Sequence, residues 1–261
     1  MTDRPAGTDA VLFDARDDGI AIITLNRPDT RNCLDADVRA GLAWAWDRFE
    51  HDDTLRIAIL TGAGDKAFCA GGDLKEMVAT GMGVPPREMY ALPYDTIELT
   101  KPTIAAVNGA AYAGGWMIAQ ACDLCVAATT ARFAISEVKV GRSSPWAAPL
   151  IHMIPQRIMM ELLLTGAPID ARRAYEIGLV NRVSEPERLL DCALDLAREI
   201  LGGAPLSVRA ARETVMLATE MGRSAALQAA RAASEWCYRS EDAQEGPAAF
   251  AARRPPVWKG R

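Results

Sequence analysis

The chain has 261 residues, of which 50% are hydrophobic and 24% charged, an ordinary globular composition whose length suits one large domain or one domain with a helical appendage. A formal net charge of -5 argues against a general nucleic-acid binder, although a local basic patch for a phosphate-bearing ligand stays open. No apolar run of about 18 residues and no apolar stretch near Met1 occurs, which argues against a membrane span and a signal peptide, so the cytoplasm is expected.

Residues 11–13 and 20–25 read as strands on either side of Asp17-Asp18-Gly19, followed by a turn at Asn26-Arg27-Pro28-Asp29. Between Asp35 and Phe49, the residues Val38, Leu42, Trp46 and Phe49 share one face at helical spacing. Residues 56–61 form the next strand and run toward the turn Phe68-Cys69-Ala70-Gly71-Gly72-Asp73-Leu74. Gly81, Gly83, Pro85, Pro86 and Pro93 mark 78–100 as a mobile loop with one short helix. A strand at 103–107 leads into Asn108-Gly109-Ala110-Ala111-Tyr112-Ala113-Gly114-Gly115-Trp116, which opens an apolar helix. Asp170 caps a helix that Gly178 ends, and 180–183 is a short strand.

Strands and helices alternate up to this point, which implies an α/β fold. Beyond it, residues 187–201, 205–217, 224–238 and 241–252 all read as helices. This tail cannot bury its apolar faces on itself, so it is expected to pack on the core or on neighbouring subunits. The division is placed at residue 200, giving a core of 1–200 and a helical region of 201–261.

The six cysteines follow no disulfide framework, and in a cytoplasmic chain they are expected to be reduced. Cys122-Asp123-Leu124-Cys125 has redox spacing, but it lies where a helix ends rather than at the helix N-terminus that would activate a thiol. It reads as two buried small side chains. With two histidines, His51 and His152, a three-histidine zinc site is excluded and no metal is expected.

Three places carry candidate chemistry. Each glycine turn follows a strand and opens a helix, whose first N–H groups have no internal partner. Two such turns side by side can aim two donors at one oxygen, the geometry of an oxyanion hole; Ala70 lies in the first turn and Gly114 in the second. The third place is Glu137, a carboxylate set in Phe133-Ala134-Ile135-Ser136-Glu137-Val138, where apolar neighbours favour a raised pKa and proton transfer near neutral pH.

Taken in order, these residues resemble the crotonase superfamily, or enoyl-CoA hydratase/isomerase family. The resemblance spans nearly the whole chain. It includes Leu25-Asn26-Arg27-Pro28, Arg31-Asn32, Thr61-Gly62-Ala63-Gly64 and the first glycine turn. It continues through Lys101-Pro102 to Asn108-Gly109, Cys122-Asp123-Leu124, Leu164-Thr165-Gly166, Gly178-Leu179-Val180-Asn181 and the ending from Ser240 to Arg261.

The resemblance implies a crotonase-like spiral of β-β-α units with a C-terminal helical region that builds a homotrimer or a dimer of trimers. The substrate is then an acyl-CoA thioester, with coenzyme A part of the substrate and no separate cofactor. Ala70 and Gly114 would hold the thioester oxygen of an enolate-like intermediate. Ala70, Gly71, Gly72, Asp73 and Leu74 would line the CoA side, and Gly114, Trp116, Met117 and Trp146 the acyl side. Arg31, Lys66 and Lys75 are candidate phosphate partners, beside the plainer reading as solvated charges.

The family's hydratases carry two glutamates. Glu137 matches the second, while Met117 stands at the first, and a thioether neither takes a proton nor holds water strongly. The chain thus resembles a divergent member with Glu137 as sole acid/base, suited to double-bond isomerisation or a specialised hydration or dehydration. Hydrolysis or C–C cleavage through the same enolate and a non-catalytic CoA-binding scaffold are the alternatives. Trp116 and Trp146 suggest a dry aromatic pocket, or simply fill the core. Ser143-Ser144-Pro145-Trp146 departs from the glycine-rich run usual there. Tyr94, Asp95, Glu98 and Glu88 are candidates for a substitute second group, Asp95 first.

Overall fold

The computed structural model describes residues 8–261. They fall into two compact units, the first comprising residues up to Leu99 together with Thr103–Leu194, the second Thr100–Pro102 and Asp195–Arg261.

The first unit begins with an antiparallel pair, β1 (Val11–Ala15) and β2 (Ile20–Leu25), in which Val11 lies opposite Leu25. Helix α1 (Ala36–His51) starts where the Asp35 carboxylate accepts the Val38 N–H at 3.0 Å, an N-cap that satisfies one orphan donor. It buries Val38, Leu42, Trp46 and Phe49, the four positions that share its apolar face.

Three strand pairs follow: β3 (Ile57–Gly62) with β4 (Ala67–Cys69), β5 (Thr103–Val107) with β6 (Ala110–Tyr112), and β7 (Leu124–Ala128) with β8 (Arg132–Ala134). Helix α2 (Leu74–Thr80) follows β4, and α3 (Gly114–Gln120) follows β6. The first strand of each pair enters a six-stranded sheet of order β1-β2-β3-β5-β7-β10, where β10 is Arg182–Ser184. The second enters a four-stranded sheet of order β4-β6-β8-β9, where β9 is Ile169–Asp170. All links from β2 to β10 in the large sheet are parallel. This repeated step from one sheet to the other is a spiral of β-β-α turns, an α/β fold. Every residue of β5 is buried, as expected of a central parallel strand covered on both faces.

Helices α4 (Gln156–Thr165) and α5 (Ala171–Glu176) complete the first unit apart from the start of α6. The strand expected at 180–183 is found at Arg182–Ser184. The N–H groups of Leu179 and Val180 both donate to the Ala174 carbonyl, at 2.9 and 3.2 Å, which spends them on closing α5. The division between the units falls inside α6 (Leu189–Leu201), between Leu194 and Asp195, and so precedes the expected residue 200. The second unit carries α7 (Pro205–Glu220), α8 (Arg223–Tyr238) and α9 (Glu241–Ala251). In it Lys259 and Gly260 donate their N–H groups to the two oxygens of buried Asp242, at 2.7 and 2.8 Å, anchoring the last residues to α9.

Candidate active site

Two side-chain amides hold the approach to the first glycine turn. Asn32, fully buried, accepts the Arg27 N–H at 2.9 Å and donates to the carbonyls of Ala63 and Ala67 at 3.0 and 2.8 Å. Asn108 donates to Gly64 at 2.7 Å. The turn then docks on the strand-like segment before α1, because Leu34 donates its N–H to the Gly71 carbonyl at 2.8 Å. Gly71 itself has φ +97°, a conformation that side chains disfavour.

This docking corrects one expectation. The Ala70 N–H donates to the Arg31 carbonyl at 3.0 Å, so it is committed inside the turn and is not free for a ligand. Gly71 directs its N–H at the Cys69 sulfur, 3.4 Å away. Of the three residues Ala70, Gly71 and Gly72, the one whose N–H is left without an acceptor among the described residues is Gly72.

The second turn leads into α3. Ala113 stands at φ 51°, ψ −121°, a strained conformation for a residue with a side chain. Its N–H donates to Ala134 at 2.8 Å and its carbonyl accepts from Met117 at 3.1 Å. Gly114, the first residue of α3, has an N–H with no intrahelical partner. A Cβ on Gly115 would lie 2.0 Å from the Cys69 carbonyl oxygen, so only glycine lets α3 press on β4. A Cβ on Gly71 would lie 3.3 Å from the Gly114 nitrogen, and one on Gly114 would lie 3.6 Å from the Gly72 nitrogen. The free N–H groups of Gly72 and Gly114 are therefore neighbours.

Asp73 belongs to the frame of the turn. Its carboxylate caps α2 by accepting the N–H groups of Lys75 and Glu76 at 2.8 and 3.2 Å, and the bond from Glu76 leads in holding its pKa below the ordinary value. Arg39 forks onto Glu76 at 2.8 and 2.9 Å and onto the Leu34 carbonyl at 3.0 Å, tying α2 to α1. Leu74 is exposed at the start of α2.

Glu137 begins a short 3-10 helix, Glu137–Val140, and is half-buried. Its Oε1 accepts the indole N–H of Trp146 at 2.9 Å. Its Oε2 is buried and has no hydrogen-bond partner. Burial pushes the carboxyl pKa above its ordinary value, and the hydrogen bond from Trp146 works against that rise. A carboxylate with one oxygen fixed and the other free is set to accept a proton in one direction. Arg142 ties the end of this segment to the 78–100 stretch, donating to the carbonyls of Met82 and Gly83 at 2.9 and 3.4 Å.

On α3, Trp116 is 1% exposed and packs edge-to-face on Phe133 with ring centroids 5.7 Å apart. Its indole N–H has no partner, nor does Gln120 Oε1 one helical turn on. Gln120 donates to the Trp146 carbonyl at 3.2 Å, so Trp146 is held at both ends, by Gln120 and by Glu137. Met117 is buried among these apolar groups. Composition and spacing held no signal for Gln120, whose polar end is recognisable only once the helix is packed.

The expected substitutes for a second acid/base are exposed or bonded to other groups. Asp95 is exposed and bonded to Arg87 at 2.9 Å. Tyr94 donates to Asp123. Glu88 and Glu98 are exposed. The residue of this segment that does approach the turns is Tyr90, half-buried, whose hydroxyl would lie 3.7 Å from a Cβ on Gly72. Arg31, Lys66 and Lys75 are exposed around the first turn and make no ion pair with any described residue. Cys122 and Cys125 are both buried, and burial pushes the Cys125 thiol up to about 12.

The chain matches the family Enoyl-CoA hydratase/isomerase over residues 15–261. It is 39% identical over 253 residues to an (E)-benzylidenesuccinyl-CoA hydratase of Thauera aromatica, covering 92% of this chain and 96% of that protein. It is 40% identical over 248 residues to a carnitinyl-CoA dehydratase of Citrobacter koseri, covering 92% of this chain and 94% of that protein. Its fold matches the crystal structure of an enoyl-CoA hydratase from Mycobacterium tuberculosis with a TM-score of 0.89 and 41% identity, covering 97% of this chain and 99% of that one. With residues 15–261 matched to the family and relatives about 40% identical over nearly the whole of both chains, on a spiral of the same fold, the chain belongs to the enoyl-CoA hydratase/isomerase family.

Proposed function

We propose that the enzyme adds water to, or removes it from, the Cα=Cβ bond of an acyl-CoA, with Glu137 as its sole general acid/base. The N–H groups of Gly72 and Gly114 take the thioester oxygen, and each is typically worth about 2.7–4 kcal/mol in the transition state. In the dehydrating direction Glu137 Oε2 removes the Cα proton, and charge moves onto the thioester oxygen. The carboxyl then returns that proton to the β-oxygen as the C–O bond breaks, water leaves, and the carboxylate is restored. Hydration is the reverse. The chemistry runs on side chains and backbone alone, with coenzyme A as part of the substrate.

The observation that carries this reading is the buried, unpartnered Oε2 of Glu137 on a carboxyl whose pKa burial has raised. The curated relatives named as a hydratase and a dehydratase, both of which move water, favour it over other enolate chemistry. Isomerisation is the second reading, favoured by Met117, which leaves one carboxylate where two would serve hydration best. There Glu137 moves a proton between Cα and Cγ.

Arg31, Lys66 and Lys75 serve the CoA phosphates. Residues 201–261 assemble the chain into a homotrimer or a dimer of trimers, supported by the exposure of Tyr238 and Phe250. No helix among the described residues is long and apolar enough to cross a membrane, and a cytoplasmic location fits the six free cysteines.

A panel of enoyl-, hydroxyacyl- and saturated acyl-CoA thioesters incubated in heavy water and read by mass spectrometry tests the reading. Net gain or loss of water that Glu137→Gln reduces about 100-fold or more supports it. Exchange or double-bond migration without water transfer favours isomerisation. Unchanged turnover in Glu137→Gln ends the assignment of Glu137.

A further inference from the structure

We propose that Tyr90 is a specificity-determining residue, whose hydroxyl donates a hydrogen bond to an oxygen substituent on the acyl chain and so selects hydroxyacyl thioesters. The inference rests on the reading that Gly72 and Gly114 hold the thioester oxygen.

The argument starts from Gly72. A Cβ there would meet the Met77 methyl at 2.3 Å and the Tyr90 hydroxyl oxygen at 3.7 Å. Glycine at this position leaves room for those two groups beside a free N–H. The phenol is partly buried against the core, and its hydroxyl has no hydrogen-bond partner among the described residues. An O–H placed this way lacks an acceptor that a ligand can supply.

The backbone around Tyr90 is locked. Thr96 Oγ1 donates to the Tyr90 carbonyl at 2.5 Å and accepts the Leu92 N–H at 2.8 Å. The turn at 90–96 is thus pinned by one side chain, which fixes where the ring enters. Burial also keeps the phenol pKa above its ordinary value of 10, so the hydroxyl remains a proton-bearing donor across the working pH range.

A carbonyl oxygen has two lone pairs, and Gly72 and Gly114 fill both. A third donor next to them serves a different acceptor. On an acyl-CoA the acceptors near the thioester are the pantetheine amide, common to every substrate, and an oxygen on the acyl chain; we take the second, the hydroxyl that is lost or gained in the proposed reaction.

The test compares binding of 3-hydroxybutyryl-CoA and butyryl-CoA by calorimetry to the wild-type enzyme and to Tyr90→Phe, with dehydration of 3-hydroxybutyryl-CoA measured alongside. The wild type should bind the hydroxy thioester about tenfold more tightly than butyryl-CoA, and Tyr90→Phe should erase that preference while binding butyryl-CoA unchanged. An unchanged preference overturns the proposal. Equal weakening toward both thioesters also overturns it, since that marks a merely structural role. If the preference shifts as expected but the wild type dehydrates nothing, Tyr90 stands and the water-transfer reading falls.

Discussion

The indole N–H of Trp146 donates to Oε1 of Glu137 at 2.9 Å, while Oε2 of the same carboxylate is buried with no partner. One oxygen is fixed so that the other can work. The bond favours the charged carboxylate and works against the burial that raises its pKa. Trp146→Phe keeps an aromatic ring and removes the donor, so the Glu137 pKa should rise further. Glu137 as the proposed base works when deprotonated, so the acid limb of the kcat/KM profile should move to higher pH. An acid limb that stays in place or moves down counts against the assignment.

Glu137 also costs stability where it is charged. Its folded pKa lies above its ordinary value, so the folded state binds the proton more tightly than the unfolded chain. That contribution is fully present below the ordinary value and is lost as pH rises through the raised one. Glu137→Gln removes the cost. The variant should match the wild-type Tm near pH 4 and exceed it at pH 8, measured by calorimetry, as expected of a strained active-site group.

Gly71→Ala tests the junction of the two turns. A Cβ there would lie 2.9 Å from the Tyr112 carbonyl oxygen and 3.0 Å from the Ala113 Cβ, on a backbone at φ +97°. The turns must separate or strain. A loss of about 1–3 kcal/mol in urea unfolding is expected, with kcat reduced more than KM is raised, because the two donors lose alignment.

Met117→Glu places a second carboxylate three residues past Gly114. Crotonyl-CoA hydration should rise about tenfold or more, since a second acid/base group typically contributes that much. The same change buries a charge among apolar groups, so Tm should fall. No gain in hydration would mean that the pocket excludes water or a short acyl chain.

Periodicity identified α1, β5 and the four C-terminal helices because their apolar faces repeat over many residues. It did not identify β4, β6 and β8, which have three residues each and whose pairing partners lie far along the chain. The whole four-stranded sheet was therefore invisible as a pattern and came only through the family resemblance.

The candidate site divides in the same way. Glu137, Gly114 and the turn 70–73 stood out because their residue types are unusual in their surroundings. Ala70 did not hold as a donor, because a backbone N–H carries no sign in the sequence of which carbonyl it will meet. Arg31, distant along the chain, takes it at 3.0 Å, and the free donor becomes Gly72. Tyr90 was missed for the same reason: nothing nearby in the sequence tells that its hydroxyl approaches Gly72 while Asp95 turns outward to Arg87.

The sequence by itself determined the family, the alternation of strands and helices, and the residue types at the two turns, Met117 and Glu137. These depend on residue identity and on spacing along the chain. Only the tertiary structure decided which N–H groups stay free, which oxygen of Glu137 is unpartnered, and which hydroxyl faces the turns. Those depend on hydrogen-bond partners brought together from distant segments, and a donor's availability is settled by what it meets when the chain closes.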